Sequence, residues 1–303
     1  MGNDEALTAD EVAKILQVSK NKVYELKTRG ELNSYNIGRK LRFTYADVQS
    51  YISKTKNLPV APAPAAFAHP KEAFIICGQD IILDVLSNYL AQSGVNSLRK
   101  YVGSYDSLMM LYKDEVQVAS SHLCDAESGE YNVSYVKKLL PGIPAVIVHL
   151  TCRIQGFYVA KGNPMGLRVW EDLLKPGLTL VNREKGAGSR VLLDEHMRLL
   201  GANAAAVNGY HNEIQSHFAV ASMVARGRAD VAVGNEKVAR QVEGVDFVPL
   251  QKERYDLVVK ESTFDTKPVQ AMMRILESGV LREDLSGLGG YDTSDMGKIV
   301  TIG

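Results

Sequence analysis

The sequence predicts an α/β protein with three parts: a small helical head with a β wing, a linker, and a larger α/β body expected to form two lobes. Three observations predict this. Residues 57–70 read NLPVAPAPAAFAHP and hold four of the ten prolines and no charge. Proline fixes φ and lacks an amide donor, so this stretch reads as a rather stiff linker. Before it, capping and stop signals mark short helices. After it, strand and helix patterns alternate, as in a parallel sheet covered by helices. The expected divisions are residues 1–56, 57–72 and 73–303.

In the head, Thr8-x-x-Glu11 is a capping box that opens a helix with Val12, Ile15 and Leu16 on one face. Ser19 caps a second helix, with Val23 and Leu26 inward and Gly30 ending it. The segments 34–37 and 41–43 flank Gly38-Arg39-Lys40 as a short hairpin, and Thr44-x-x-Asp47 caps a third helix ending near Ser53. Two helices joined by a tight turn and followed by a basic wing form a winged helix-turn-helix pattern. Its second helix offers Lys20, Asn21, Lys22, Tyr24, Lys27 and Arg29 to a major groove, and Arg39, Lys40 and Arg42 on the wing suit the phosphate backbone. From Leu7 to Ile52 the motifs L-T-x-x-E-V-A, V-S-x-x-x-V-Y and G-R-K-L-R-F resemble the excisionase-like, MerR-type winged helix family. The resemblance implies a double-stranded DNA operator as partner. A head this small reads few bases alone, so a homodimer or higher homo-oligomer is expected.

Composition bounds the rest. The chain has 303 residues, 46% hydrophobic and 23% charged, as in a globular protein of two or three domains. Thirty-five Lys/Arg balance 35 Asp/Glu, which excludes a globally basic coat protein and an acidic disordered chain. The balance is uneven, since residues 1–56 carry ten basic and seven acidic side chains. The longest charge-free stretches are 14 residues, for example Leu139 to Cys152, short of the roughly 20 apolar residues of a membrane span. The N-terminal MGNDEALTADE lacks the features of a secretory signal, so a cytoplasmic location is expected. Cys77, Cys124 and Cys152 are odd in number and scattered, against a disulfide framework or zinc ribbon. No histidine pair has zinc-helix spacing, and neither a metal nor a cofactor is expected.

In the body, strands are expected at 74–77, 116–119, 145–150, 156–160, 178–181 and 230–233. Helices are expected at 80–92, 104–112, 189–200, 217–226 and 235–241. Three Gly/Ser-rich or polar turns fall where strands hand over to helices: Cys77-Gly78-Gln79-Asp80, Gly103-Ser104-Tyr105-Asp106-Ser107 and Gly186-Ala187-Gly188-Ser189-Arg190. The first amides of a helix lack intrahelical partners and carry partial positive charge, so several such ends converging make an anion site without a metal. None of the turns is a dinucleotide fingerprint or a P-loop. Ser104, Ser121, Ser189 and Ser216 are candidate hydroxyl donors, and Arg153, Arg183 and Arg190 candidate charge partners. His122 and His217 each follow a serine and join the candidates. Tyr105 either stacks on a ligand or packs in a lobe. Met109, Met110, Met272, Met273 and Trp170 read as packing, and Asp125 and Glu127 as turn caps. No nucleophile motif points to catalysis: Ser189 is not in G-x-S-x-G.

From Phe74 to Thr293 the body resembles the periplasmic-binding-protein-like domain found behind helix-turn-helix heads and in fusions with molybdopterin-biosynthesis proteins. The motifs include G-S-Y-D-S-L at 103–108, S-S-H-L-x-D at 120–125, N-R-x-x-G-A-G-S-R at 182–190 and G-Y-D-T-S-D-M-G at 290–297. The resemblance implies a bilobed, type II α/β clamp similar in fold to molybdate- and tungstate-binding proteins, with Ser189 and Arg190 in a second-lobe ligand loop. Turns, singly weighed side chains and resemblance together give the candidate site Gly78, Gln79, Ser104, Tyr105, Ser107, Ser121 and His122 with Arg153, Arg183, Gly188, Ser189, Arg190, Ser216 and His217. The first loop departs from the transport proteins in lacking their run of serines or threonines. The expectation is a one-component transcriptional regulator, not an enzyme, with molybdate or tungstate as effector. An organic anion such as a molybdopterin precursor is the alternative effector. An enzyme of pterin or anion metabolism is the alternative of another class, and a DNA-binding architectural protein with a vestigial clamp a further one.

Overall fold

The computed structural model describes residues 7–16, 18–38, 40–55 and 73–303. The chain divides into two compact units, Met1–Ala68 and His69–Gly303. The linker 57–72 and Arg39 lie outside the described residues.

The head contains α1 (Ala9–Leu16), α2 (Lys20–Thr28), the hairpin β1 (Tyr35–Ile37) and β2 (Lys40–Arg42), and α3 (Tyr45–Thr55). Local chemistry sets these boundaries. Thr8 and Glu11 form the reciprocal box: the Thr8 amide donates to the Glu11 carboxylate at 2.7 Å, and the Glu11 amide donates to Thr8 Oγ1 at 3.3 Å. Thr44 and Asp47 repeat it at the start of α3, and Ser19 Oγ accepts the Lys22 amide at the start of α2. Val12, Val23, Leu26, Leu32, Phe43 and Val48 form the core. Ile15, expected inward, is exposed; the inner face of α1 is made by Ala9, Val12 and Ala13.

The body begins with β3 (Phe74–Cys77), α4 (Ile82–Gln92), β4 (Ser97–Lys100), α5 (Ser104–Tyr112), β5 (Val118–Ser121) and α6 (Val133–Leu139). The next strand, β6, runs without a break from Ala145 to Ala160. Then come β7 (Asn182–Arg183), α7 (Gly188–Leu199), β8 (Glu213–Ile214), α8 (His217–Ala225), β9 (Val231–Asn235) and α9 (Glu236–Ala239). A second long strand, β10 (Val245–Lys260), is followed by α10 (Glu261–Phe264), α11 (Lys267–Glu277), α12 (Val280–Leu288) and β11 (Ile299–Ile302).

Two lobes arise because β6 and β10 pair antiparallel over their whole length, from Val245↔Ala160 to Lys260↔Ala145. At one end β10 pairs β5, β5 continues parallel through β3 to β4, and β11 pairs β6. At the other end β9 pairs the same edge of β6. The first lobe therefore carries α4, α5, α6 and α10 to α12, and the second α7, α8 and α9. Each lobe buries both sheet faces. In the first, Val146, Val148 and Leu150 join the core shared with α4 and α11, while Ala145 and Ile147 join that of α5 and α6. This is the period-2 alternation of a strand. In the second, Phe157 and Val159 meet α7, and Tyr158 meets α8.

Three sequence expectations change. The strands expected at 145–150 and 156–160 are one, because the polar run Thr151–Gln155 between them is still paired to β10. The strand expected at 178–181 is paired two residues later: Leu180 bridges Val231, and Asn182 and Arg183 pair with β8. β10 had no counterpart in the expectation. Trp170 and the methionines do pack as expected: Trp170 stacks on His196 at 4.1 Å, and Met272 and Met273 are core. Among the described residues no helix is long and apolar enough to cross a membrane.

Phe157 is fully buried in β6 and meets Trp170 edge-on at 5.2 Å. Phe157→Ala is expected to destabilise the protein by about 3–5 kcal/mol, read from the urea midpoint at constant slope.

Candidate functional site

The two lobes meet where β6 and β10 cross between them. At this neck Arg153 of β6 lies opposite Glu253 of β10, and the pairing is irregular on both sides, with Leu250 extra in β10 between Pro249 and Gln251 and Leu150 extra in β6 between His149 and Thr151. Such bulges bend a strand and re-aim its side chains. Arg153 Nε donates to Glu253 Oε1 at 2.8 Å, and its other nitrogens reach Glu253 and Asp80 of the first-lobe loop after β3. Its guanidinium lies 4.3 Å from the Tyr255 ring centroid. Glu253 Oε2 is 2.7 Å from His122 Nδ1, and Tyr291 donates to Asp80 Oδ1 at 2.7 Å. Arg153 and Glu253 are 4% and 1% exposed, so both charges are dry and depend on each other. Burial raises the Glu253 carboxyl pKa, but Arg153 and His122 outweigh it and hold it below the ordinary glutamate value.

A cavity of about 520 Å³ opens between the lobes above this network. Six of the sequence-predicted residues line it: Gln79, Ser104, His122, Arg153, Ser216 and His217. Ser104 is the first residue of α5, and its Oγ accepts the His122 amide at 3.2 Å. Ser216 caps α8 by accepting the Ala219 amide. His217 follows it on the cavity wall, and burial together with the Arg183 and Arg153 cations pushes its pKa well below the ordinary value, so it is neutral.

The remaining predicted residues are outside the lining. Arg190 is committed within the second lobe: it bonds Asp194 at 3.0 Å and the Arg183 carbonyl at 3.2 Å, and it lies 4.1 Å from the Tyr210 ring centroid. Ser189 is buried, and its Oγ has no hydrogen-bond partner among the described residues. Arg183 serves Glu184, Gln79 and the Ile214 carbonyl. Ser107 accepts the Ser120 amide, and Ser121 is fully buried in β5. Gly78 turns the chain after β3 with φ +146°. Tyr105 and Gly188 mark where the lobes touch. The Tyr105 amide donates to the Gly186 carbonyl at 3.0 Å, and a Cβ on Gly188 would stand 2.3 Å from the His122 ring. With Gln79 bonded to both Arg183 and Glu184 across the cleft, these contacts hold the lobes together along one side of the cavity.

Sequence reasoning missed Lys237, Tyr101, Phe218, Tyr255 and Tyr291, all of which line the cavity. Lys237 follows Asn235-Glu236 at a strand-to-helix turn of the same kind as the three singled out, and reading that turn for its polar residues would have found it. Ile81, Tyr101 and Phe218 are 53%, 59% and 50% exposed while lining the cavity, which gives it an apolar mouth. Among the described residues no group of three or more His, Cys, Asp or Glu is placed to hold a metal.

Comparison with known proteins agrees with this geometry. The PBP superfamily domain matches residues 87–277. The chain belongs to that family. A helix-turn-helix domain matches residues 6–56. The uncharacterized protein YvgK of Bacillus subtilis (strain 168) is 40% identical over 99% of both chains. A Clostridium pasteurianum protein, described by its place in the 5′ region of a 2Fe-2S ferredoxin gene, is 52% identical over 37% of this chain and 98% of its own. In fold, the body is similar to a phosphate ABC transporter substrate-binding protein of Clostridium perfringens, solved with bound phosphate. The TM-score is 0.53 at 13% identity, covering 73% of this chain and 98% of that one.

The head presents the helix-turn-helix surface. Lys20, Asn21, Tyr24, Lys27 and Arg29 of the second helix and its end are exposed, as is Lys40 on the wing, while Lys22 and Arg42 are half-buried. Lys20 pairs with Asp10 at 2.6 Å and Lys22 with Glu25 at 3.0 Å. Exposed pairs of this kind contribute about 0–1 kcal/mol and exchange readily for phosphate.

Two predictions follow from these surfaces. Arg153→Met takes the buried cation from Glu253 and Asp80, leaving them His122 and Tyr291 as partners, and is expected to cost about 3–5 kcal/mol in urea titrations, with much of it recovered in Arg153→Met/Glu253→Leu. The Glu253 contribution should be present at neutral pH and lost as pH falls below the ordinary glutamate range. In the head, Lys27→Ala/Lys40→Ala is expected to weaken DNA binding across all sequences and reduce the slope of log K against log salt by about 2, measured by anisotropy.

Proposed function

We propose that this protein is a DNA-binding transcriptional regulator, acting as a homodimer, whose cleft closes on a small organic anion and so changes DNA binding. The helix-turn-helix head and PBP-like body support a ligand-binding regulator. The observation that carries the choice of effector is the cavity: about 520 Å³ with an apolar mouth at Ile81, Tyr101 and Phe218. That volume falls in the range of roughly 300–1,000 Å³ typical of sites for organic ligands, far larger than a tetrahedral oxyanion requires. The anionic part is supported by the N-terminus of α8, where the amides of His217 and Phe218 have no intrahelical partner, and by Lys237 in the lining.

That same helix end favours the second reading, molybdate or tungstate, through further closure of the lobes. The His122–Glu253 pair is the feature an enzyme would use as a base with its orienting carboxylate. A ligand acts on DNA binding only through different affinity for open and closed forms, so effector and operator must be thermodynamically linked.

Native mass spectrometry of protein purified without added ligand is expected to show an organic adduct of a few hundred daltons. Removing it should change the affinity for the gene's own upstream DNA. Submicromolar binding of molybdate or tungstate with the same effect would replace the organic reading by the oxyanion one. Conversion of the adduct to a new mass on incubation would make the protein an enzyme.

A further inference from the structure

We infer that Lys237, with His217 beside the same cavity, is the anchor for the effector's anionic group, a carboxylate or a phosphate ester. The inference rests on reading the cleft as an effector site, and it adds which residue meets the charge.

Arg153 and Lys237 are the two Lys or Arg side chains in the cavity lining. Arg153 is already held by Asp80 and Glu253. Lys237 differs: its Nζ is shielded from solvent and has no hydrogen-bond partner among the described residues. It lies 4.1 Å from the Tyr291 ring centroid, and this cation–π contact satisfies none of its three donors. Its neighbours on α9 are occupied, since Asn235 Oδ1 accepts the Val238 amide at 3.1 Å and Glu236 pairs with Arg240 at 2.7 Å. The Lys237 pKa is lowered by burial, with Asp80 acting in the opposite sense, as suits a cation lacking an acceptor.

His217 supplies a second buried atom without a partner, Nδ1, from the first turn of the nine-residue α8. Lys237 of α9 and His217 of α8 line the same cavity on the second lobe, and the anchor itself is the unpartnered ammonium of Lys237. A buried donor without an acceptor is unfavourable, and a carboxylate or phosphate ester relieves it. The anchor stands on the second lobe, whereas Ile81 and Tyr101 of the mouth belong to the first. An effector with an anionic end and a flat apolar body therefore touches both lobes and favours closure.

The test uses full-length protein and three probes: phenyl phosphate, benzoate and inorganic phosphate. Calorimetry on wild type, Lys237→Met and Lys237→Arg is paired with thermal melting. Expected are tighter binding of phenyl phosphate or benzoate than of inorganic phosphate, loss of tenfold or more in Lys237→Met, and retention within about threefold in Lys237→Arg. Without ligand, Lys237→Met should melt no lower than wild type, because the substitution removes an unpaired buried charge. Binding by Lys237→Met equal to wild type would overturn the anchor and leave the effector site standing. Absence of binding to wild type by all three probes at millimolar concentration would overturn the organic-anion reading and the anchor together.

Discussion

The antiparallel pairing of β6 with β10 is the constraint on which the body depends, and Arg153–Glu253 is the interaction that makes its midpoint tolerable. On either side of it β6 buries apolar side chains, and β10 does so in the first lobe. At the crossing they must carry polar groups, because there the sheet emerges from one core before entering the next. A dry arginine and a dry glutamate would each be costly alone. Set opposite each other on neighbouring strands, and bracketed by Asp80 and His122, they satisfy most of each other's donors and acceptors. Asp80 comes from the first lobe's loop, so the network ties the crossing strands to that loop.

The same network decides how charge is arranged in the cleft. Arg153 and Arg190 have protein acids or carbonyls as partners, and so build structure; Arg183 is bonded likewise through Nε and Nη2, while its buried Nη1 has no partner among the described residues and lies outside the cavity lining. Lys237 lacks such a partner, and the amides at the starts of α5 and α8 lack intrahelical ones. On the other side, Gln79 with Arg183 and Glu184, and the Tyr105 amide with the Gly186 carbonyl, bring the lobes into direct contact. The loops that line the cavity at Gln79 and Glu184 are thus also loops through which the lobes touch.

The head is local by contrast. Its three helices are started by side chains within three residues of the amides they cap, and its core is eight buried residues. Its basic side chains are on the surface and exchange partners easily, so it can bind phosphate at little structural cost. The head carries the helix-turn-helix match and the body the PBP match, and the proline-rich stretch joins the two in sequence.

Features that depend on neighbours a few residues away can be read from the amino-acid order. The boxes at Thr8 and Thr44, the cap at Ser19, the wing, and the strand-to-helix turns at Gly103 and Ser216 were legible because their partners are three or four positions off. Family motifs extended that to the two-lobed fold. Tertiary structure alone decided the rest, and the reason is separation along the chain. Arg153 meets Glu253 a hundred residues on, so nothing local distinguishes its role from that of Arg190, which pairs with Asp194 one helical turn away. Thr151–Gln155 breaks the apolar alternation, so β6 read as two strands, although pairing with β10 makes it one. Which cation keeps unpaired donors is set by its neighbours in space; Arg190 has acceptors around it and Lys237 has an aromatic face and an open cavity.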